Sequence, residues 1–574
     1  MLLMRCTDLY HQVGQFLYNL HFFQHLLAIK MTIPGIKIFK AKKVITMNSY
    51  CPYGTHVAVK EGKILGVGSL EQLEGWGDYE LDETFSEKIL MPGFVEGHCH
   101  APEGQIWNYP YLGFFERKDP DGKIHPKLEN LDQVLERLHE ADRLKNNPEE
   151  PLFAWGFDPL YFESERMSTR HLDSVSTTRS IIVMHASGHL INVNSMVLKL
   201  AGIDETTEVQ GVLKDKEGKP TGELISMATQ YMIQKVAGMP FFNTLDSKGL
   251  RNFSKVARRE GVTTATDLAA RYDKNTLDAY YEVAADKNFP LRIVPAIRIQ
   301  EMSNADGIEK IKSLKQTSSN KLFFGLCKII ADGSIQGFTA RLKWPGYYNG
   351  NPEGSWYTAP QSLEQMIEAY HSEGMHLHIH TNGDEATEVT INALEKALTR
   401  FPREDHRHTL QHCQMAEEAH FRRMSKLGIC SNLFSNHIFY WGDKHLEKTL
   451  GPDRAARMNA AATAKKQGVN FSIHSDAPVT PLAPLFTAWC AINRRTASGL
   501  VLGEHERISL NDALYAITLG AAYTLKLDHV VGSIESGKFA DFAVLEEDPF
   551  LVEPDQLKDI KIWGTVVDGI PFPA

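Results

Sequence analysis

Two histidines one residue apart, His98 and His100, close the apolar run MPGFVEGHCH at residues 91–100. Side chains alternate across a strand, so these imidazoles point to one side and Cys99 to the other. Neutral imidazole nitrogens are ligands for divalent metals, and two on one side can share an ion. Such pairs also occur in loops without a shared role, so the pair gains meaning only from the rest of the chain. Four more apolar runs end in a group suited to a metal centre: LFFGLCK at Lys328, MHLHIH at His380 with Asp384 just after, HTLQHC at His412, and GVNFSIHSD at Asp476. Histidine and carboxylate ligands with one position kept for water are what a catalytic metal requires. Cys99, aimed away and with no cationic cluster nearby, is expected to be inert.

Groups at the ends of strands need a scaffold that gathers those ends. Helix-spaced segments such as NLDQVLERLHEADRL and SLEQMIEAYHSEG alternate with the strand-like runs SIIVMHA, LRIVPAI, LFFGLCKII and MHLHIH. This alternation predicts parallel βα units. No Gly-x-Gly-x-x-Gly turn supports a dinucleotide-binding sheet, and chemistry at strand C-termini favours a (β/α)8 barrel. The barrel is expected over 91–529, with an insertion around 101–260. Segments 34–90 and 530–574 are β-rich and broken by Gly and Pro, which predicts a small β-sandwich satellite built from both chain ends. Residues 1–30 are apolar but interrupted by Asp8, His11, Asn19 and His25, and read as an extension outside the fold rather than a signal peptide.

Composition narrows the partners. A net charge of −10 with no Lys/Arg block argues against a nucleic-acid surface and leaves a small molecule as substrate. No run of apolar residues is long enough for a membrane span. The 7 cysteines lack CxxC spacing, which fits reduced thiols and a cytoplasmic setting. A homodimer is left open.

The order of the motifs resembles the amidohydrolase superfamily of metal-dependent hydrolases, in the amidohydrolase 3 branch that includes N-substituted formamide deformylase. The likeness is carried by MPGFVEGHCH, LCKIIADGSIQGFTARL, HIHTNGDEA, TLQHCQ and FSIHSDAPVTPLAPL, and runs from about Lys37 to the end. It implies an α/β fold, a distorted TIM (β/α)8 barrel in which His98 and His100 bind one divalent metal and His380 and His412 a second. Zinc is the first choice, as one or two ions. The resemblance further implies that Lys328 is carboxylated and bridges them, and that Asp476 touches metal and attacking water. Gln411 stands where relatives carry an acidic residue, so the partner orienting His412 is expected to be weaker. His376, His378 and His380 share one face of their strand, so spacing alone does not select the ligand. The resemblance selects His380 because Thr381-Asn382-Gly383-Asp384 follows it, leaving His376 and His378 to packing or to supporting the ligands from behind. The plain alternative for Lys328 is a strand-end lysine paired with Asp332.

A pocket is expected around these groups. MHASGHLINVNSMVL at 184–198 resembles a family segment that shapes the substrate site, with His189 and Asn194 as candidates against a capping or packing role. HIFYWGDKH at 437–445 offers His437, Tyr440 and Trp441 in a loop after the seventh strand, and Trp155 with Phe157 a further wall. The chemistry expected is hydrolysis of a non-peptide carbon–nitrogen bond, such as an amide or N-substituted formamide, with Asp476 as general base and then acid. The alternatives are an esterase-type hydrolase on the same scaffold and a non-catalytic metal-binding or regulatory barrel. Retention of His98, His100 and Asp476 favours the enzyme.

Overall fold

The computed structural model describes residues 35–162, 166–225, 227–241, 244–351 and 353–574. The extension expected at residues 1–30 lies outside them. Buried, alternating runs form eight parallel strands: β1 (Phe94–Glu96), β2 (Val262–Ala270), β3 (Arg292–Arg298), β4 (Leu326–Ile330), β5 (His376–Thr381), β6 (Thr409–His412), β7 (Cys430–Leu433) and β8 (Phe471–Ile473). They pair in that order, and β1 and β8 share no ladder. The chain just past them bridges this seam. His98 O accepts the Asp476 N–H at 3.0 Å, and Ala477 O accepts the His100 N–H at 2.8 Å.

Alternation decides what faces where. Ile329, Leu377, Ile379, Leu410, Leu433 and Ile473 join an apolar shell with Leu250, Phe253, Leu363, Ile367, Ile391 and Leu394 of the surrounding helices. Those helices include Ser247–Arg259, Pro360–Ser372 and α1 (Asp384–Arg400). In the first, Leu250, Phe253, Val256 and Ala257 recur at helical spacing on the buried side, and the Asp246 carboxylate caps the start by accepting the Gly249 N–H. Helix Leu519–Thr524 packs Ala521 and Ala522 against Val95, Val294 and Leu326. A further helix, α2 (Asn436–Lys444), follows β7.

The first and last described segments meet in one seven-stranded sheet, in the order Ile570–Pro573, Ile562–Val567, Phe542–Leu545, Tyr79–Pro92, Ile36–Ile45, Tyr53–Lys60 and Lys63–Gly68. Its last edge strand bonds back to the segment before Phe542, with Ile64 N–H donating to Lys538 O at 2.9 Å. The sequence predicts a sandwich; hydrogen bonding gives a single sheet that wraps Phe39, Phe85 and Phe542. Arg292, fully buried on β3, ties this sheet to the barrel through Asp541 at 2.6 and 2.8 Å and through Asp568.

After β1 comes a separate five-stranded sheet, in the order Val212–Lys214, Pro220–Leu224, Ile191–Val193, Ile181–His185 and Leu152–Phe157. The turn between Ile181–His185 and Ile191–Val193 carries His189. Among the described residues no helix is long and apolar enough to cross a membrane, and the cysteines are free thiols.

Candidate metal centre

His98, His100, Lys328, His380, His412 and Asp476 all line one cavity of about 660 Å³. Lys328 comes from the middle of β4, His380 and His412 from the C-terminal ends of β5 and β6, and His98, His100 and Asp476 from the chain just past β1 and β8. Asp476 Oδ1 lies 3.1 Å from His100 Nε2 and 3.3 Å from His98 Nε2, and its Oδ2 lies 3.8 Å from His412 Nδ1. The His412 ring centroid is 4.5 Å from those of both His98 and His380. Lys328 Nζ is 3.5 Å from His98 Nε2. Two triads, His98–His100–Asp476 and His98–His412–His474, each hold their ligand atoms within 4.8 Å of one another.

Backbone geometry makes this convergence possible. In a regular strand Gln411 and His412 would face opposite sides. His412 has φ 71°, and Asp476 φ 55°, both in the left-handed region, so that Gln411 and His412 turn inward together. A non-glycine residue there costs on the order of 1 kcal/mol, and such strain collects at functional sites.

Hydrogen bonds then aim the rings. Gln411 Oε1 accepts from His98 Nδ1 at 2.7 Å and from Asn432 at 3.0 Å, while Gln411 Nε2 donates to His378 Nδ1 at 2.7 Å. An amide oxygen can only accept, so Nδ1 of His98 carries the proton and Nε2 keeps its lone pair toward Asp476. Gln411, at the position where an orienting partner for His412 was expected to be weaker, makes its side-chain contacts elsewhere: its amide spans His98 and His378. Of the three β5 histidines, only His380 lines the cavity. Its Nε2 donates to Gly333 O at 3.1 Å, which leaves Nδ1 with the lone pair. His376 is held deeper in the sheet by Arg407 O at 2.6 Å.

Burial holds the imidazoles of His98, His380, His412 and His474 well below their ordinary range, so they are neutral at pH 7, the form that binds metal. Burial also pushes the Lys328 amine down to about 7, with Asp476 opposing. Lys328 is not paired with Asp332. That carboxylate accepts the N–H groups of Asn382, Gly383 and Arg341 at 2.8–2.9 Å, at the start of α1. Asp384, on the first turn of α1, accepts the Lys343 N–H at 2.9 Å and stands outside the cavity lining.

The donor set suits a divalent metal. His412 Nδ1 and both ring nitrogens of His474 are buried without a hydrogen-bond partner in the protein. Buried polar atoms left so are costly, and neutral imidazoles facing a carboxylate are what zinc-type ions coordinate.

The expected pocket residues divide. His189 lines the cavity, 5.4 Å ring to ring from His380, and burial pushes it to about 4. Asn194 does not: it caps helix Ser195–Ala201, accepting from Val197 N–H and Ile181 N–H and donating to Ser176 O and Arg179 O. His437, Tyr440 and Trp441 lie on α2, not in a loop, and none lines the main cavity. His437 bonds His445 at 3.0 Å, and the Trp441 indole donates to Asp158 at 2.6 Å. Trp155 is also away from the cavity, its indole donating to Tyr109 O at 3.2 Å beneath the Arg117 guanidinium. Phe157 stacks on Phe162. These large rings are used to pack the inserted sheet; Met184, Met239, Phe241 and Leu245 supply the cavity's apolar wall instead.

Several residues escaped the sequence reading. His474 stacks on His98 at 4.6 Å, and its position two residues before Asp476 was the available signal. Glu96, two residues before His98, accepts the Ser475 hydroxyl at 2.9 Å and is pushed by burial up to about 8. Asp267, Arg271, Arg298, Glu301 and Tyr357 also line the cavity. Arg271 and Arg298 stand just past or at the ends of β2 and β3, the positions a strand-end rule marks.

Eight parallel strands whose C-terminal ends bring imidazoles, a lysine and a carboxylate to one cavity define an α/β barrel-type protein with a candidate metal centre. The chain belongs to the Amidohydrolase family, whose model matches residues 86–571. The Bacillus subtilis protein named "Putative amidohydrolase YtcJ" is 29% identical over 532 residues, covering 89% of this chain and 94% of that one. N-substituted formamide deformylase of Arthrobacter pascens is 25% identical over 532 residues, covering 90% and 94%. An uncharacterized metal-dependent hydrolase from Pyrococcus horikoshii shares the fold, with TM-score 0.68 and 19% identity over 90% of this chain and 99% of its own.

Proposed function

We propose that the protein is a metal-dependent hydrolase of a non-peptide carbon–nitrogen bond, in an amide or N-substituted formamide. The observation that carries this reading is the Asp476 carboxylate set 3.1 and 3.3 Å from two imidazole nitrogens at the floor of a cavity. Similarity to a formamide deformylase supports the bond type. His98, His100 and Asp476 would hold one ion, and His380 and His412 a second, with Lys328, carboxylated, between them. Neutral nitrogen ligands with a carboxylate favour zinc. When bound, a divalent metal supplies a Lewis acid that polarises a carbonyl and makes water nucleophilic near neutral pH.

The protein's own groups do the rest. Asp476 accepts a proton from the attacking water as the C–O bond forms. It returns that proton to the nitrogen as the C–N bond breaks, giving a carboxylic acid and an amine. Gln411 fixes the His98 ring, and His189 walls the cavity beside His380. The test is a panel of N-formyl and N-acyl amines, with matched esters, given to metal-loaded protein. Amine release that disappears in Asp476→Asn is expected; turnover of esters alone would replace the reading with an esterase.

A further inference from the structure

The cavity carries more positive charge on one wall than its own structure needs. Arg271 and Arg298 both direct an Nη2 at the same oxygen of Glu301, Arg271 at 3.1 Å. Guanidinium groups stay charged in proteins, so Glu301 alone does not balance the two of them, and Asp267, the other carboxyl on that side of the cavity, is engaged by the Tyr280 hydroxyl instead. One arginine would suffice for a structural bridge. The Nε atoms of both are buried and make no hydrogen bond within the protein, and all three side chains line the cavity.

Their place relative to the metal centre follows from the register. Arg298 on β3 pairs directly with Lys328 on β4, and Ile330 at the end of β4 pairs with His380. From His380 the rings step to His189 at 5.4 Å and on to Tyr357 at 6.4 Å, whose hydroxyl is hydrogen-bonded by the Arg298 side chain. The arginines thus share the cavity with the metal-ligand cluster, Arg298 next to Lys328 in register and His189 and Tyr357 forming the wall that runs on from His380. From this we infer that Arg271 and Arg298 form a subsite for a carboxylate on the substrate, several bonds from the amide that is cleaved. A single net positive charge matches a monoanion rather than a phosphate dianion, and the planar forks of two arginines suit the two oxygens of a carboxylate. Met184, Phe241 and Leu245 line the same cavity and accommodate an apolar spacer.

This inference rests on the hydrolase reading, and the experiment separates the two. Metal-loaded, full-length protein is given N-formyl-6-aminohexanoate and its neutral counterpart N-formylhexylamine. Binding of each is also followed by calorimetry on Asp476→Asn protein. Charge-assisted hydrogen bonds to arginine predict a kcat/KM preference for the carboxylate of about 10- to 100-fold. Arg271→Gln and Arg298→Gln should each collapse that ratio toward one, and Glu301→Gln should increase it. A ratio near one in wild type, unchanged in the variants, overturns the subsite and leaves the hydrolase reading intact. Tighter binding of the carboxylate compound that depends on the arginines, without turnover of either compound by wild type, upholds the subsite and overturns the hydrolase reading. Equal binding of both compounds, or tighter binding of the matched phosphonate, overturns the carboxylate assignment.

Discussion

Asp476 is the one side chain assigned to move a proton, and its variant separates chemistry from binding. Asparagine keeps the shape but cannot accept the proton, so Asp476→Asn should lower turnover by about 10² to 10⁴-fold. Metal analysis of the same protein should find most of the ion retained by the histidines; loss below about tenfold with metal retained would move the proton to another group. Replacing His98 and His100 together with alanine should lower bound metal while the circular dichroism spectrum is preserved, and unchanged metal content would show the ligands misassigned. Lys328 is tested by chemistry of its own. With its amine held at about 7 by burial, a neutral fraction is present near pH 7 and can add carbon dioxide. A ¹³C carbamate resonance from labelled bicarbonate is expected, absent in Lys328→Ala, which should also bind less metal; a bare amine in wild type would contradict the bridge. At this scale the strand-end groups were legible because each closes an apolar run. The partner of His98 was not, since Gln411 lies 313 residues away and its role depends on a ring orientation that only packing sets.

Among elements, alternation revealed the strands and their buried faces, and the strand ends that hold the candidate ligands. What it missed was α2: HIFYWGDKH is expected as a loop after the seventh strand, and the structure makes it a helix. In the structure Trp441 uses its indole to hold Asp158 at the end of the inserted sheet's strand Leu152–Phe157. Burial lifts the Asp158 carboxyl from 3.8 to about 6, against the hydrogen bonds from Leu160 and Trp441. Between those values the folded protein holds a proton that the unfolded chain has released. Its contribution to stability is therefore full below the unfolded pKa and is lost as pH rises through the folded one, by at most about 3 kcal/mol. Asp158→Asn cannot titrate. Whatever constant cost it carries, its melting temperature relative to wild type should rise between roughly pH 4 and pH 7; a pH-independent difference would show the carboxyl ionised throughout.

For the whole molecule, the β-rich texture of segments 34–90 and 530–574 pointed to a shared unit, and their described strands pair in one sheet. Its single-sheet pairing was not legible, because ladders such as Val544 on Leu90 and Leu545 on Ile89 join residues far apart in the chain and leave no local pattern. The tie between that sheet and the barrel rests on Arg292, buried between Asp541 and Asp568. Removing one partner of a buried ion pair leaves an uncompensated charge, so Arg292→Ala should cost about 3–5 kcal/mol in denaturant unfolding. Amides of the strand Ile562–Val567 should also exchange faster, and a loss under about 1 kcal/mol would show the pair to be dispensable.

The gathering of six polar strand-end residues in one cavity has its simplest cause in a metal ion that serves hydrolysis. The most direct measurement is turnover of an N-formyl amine by purified protein as its metal is chelated and then restored in known amounts. Activity should fall to background with chelation and return in proportion to the zinc bound, levelling off when the site is filled. Full turnover by protein that holds almost no metal would contradict the metal-centred mechanism.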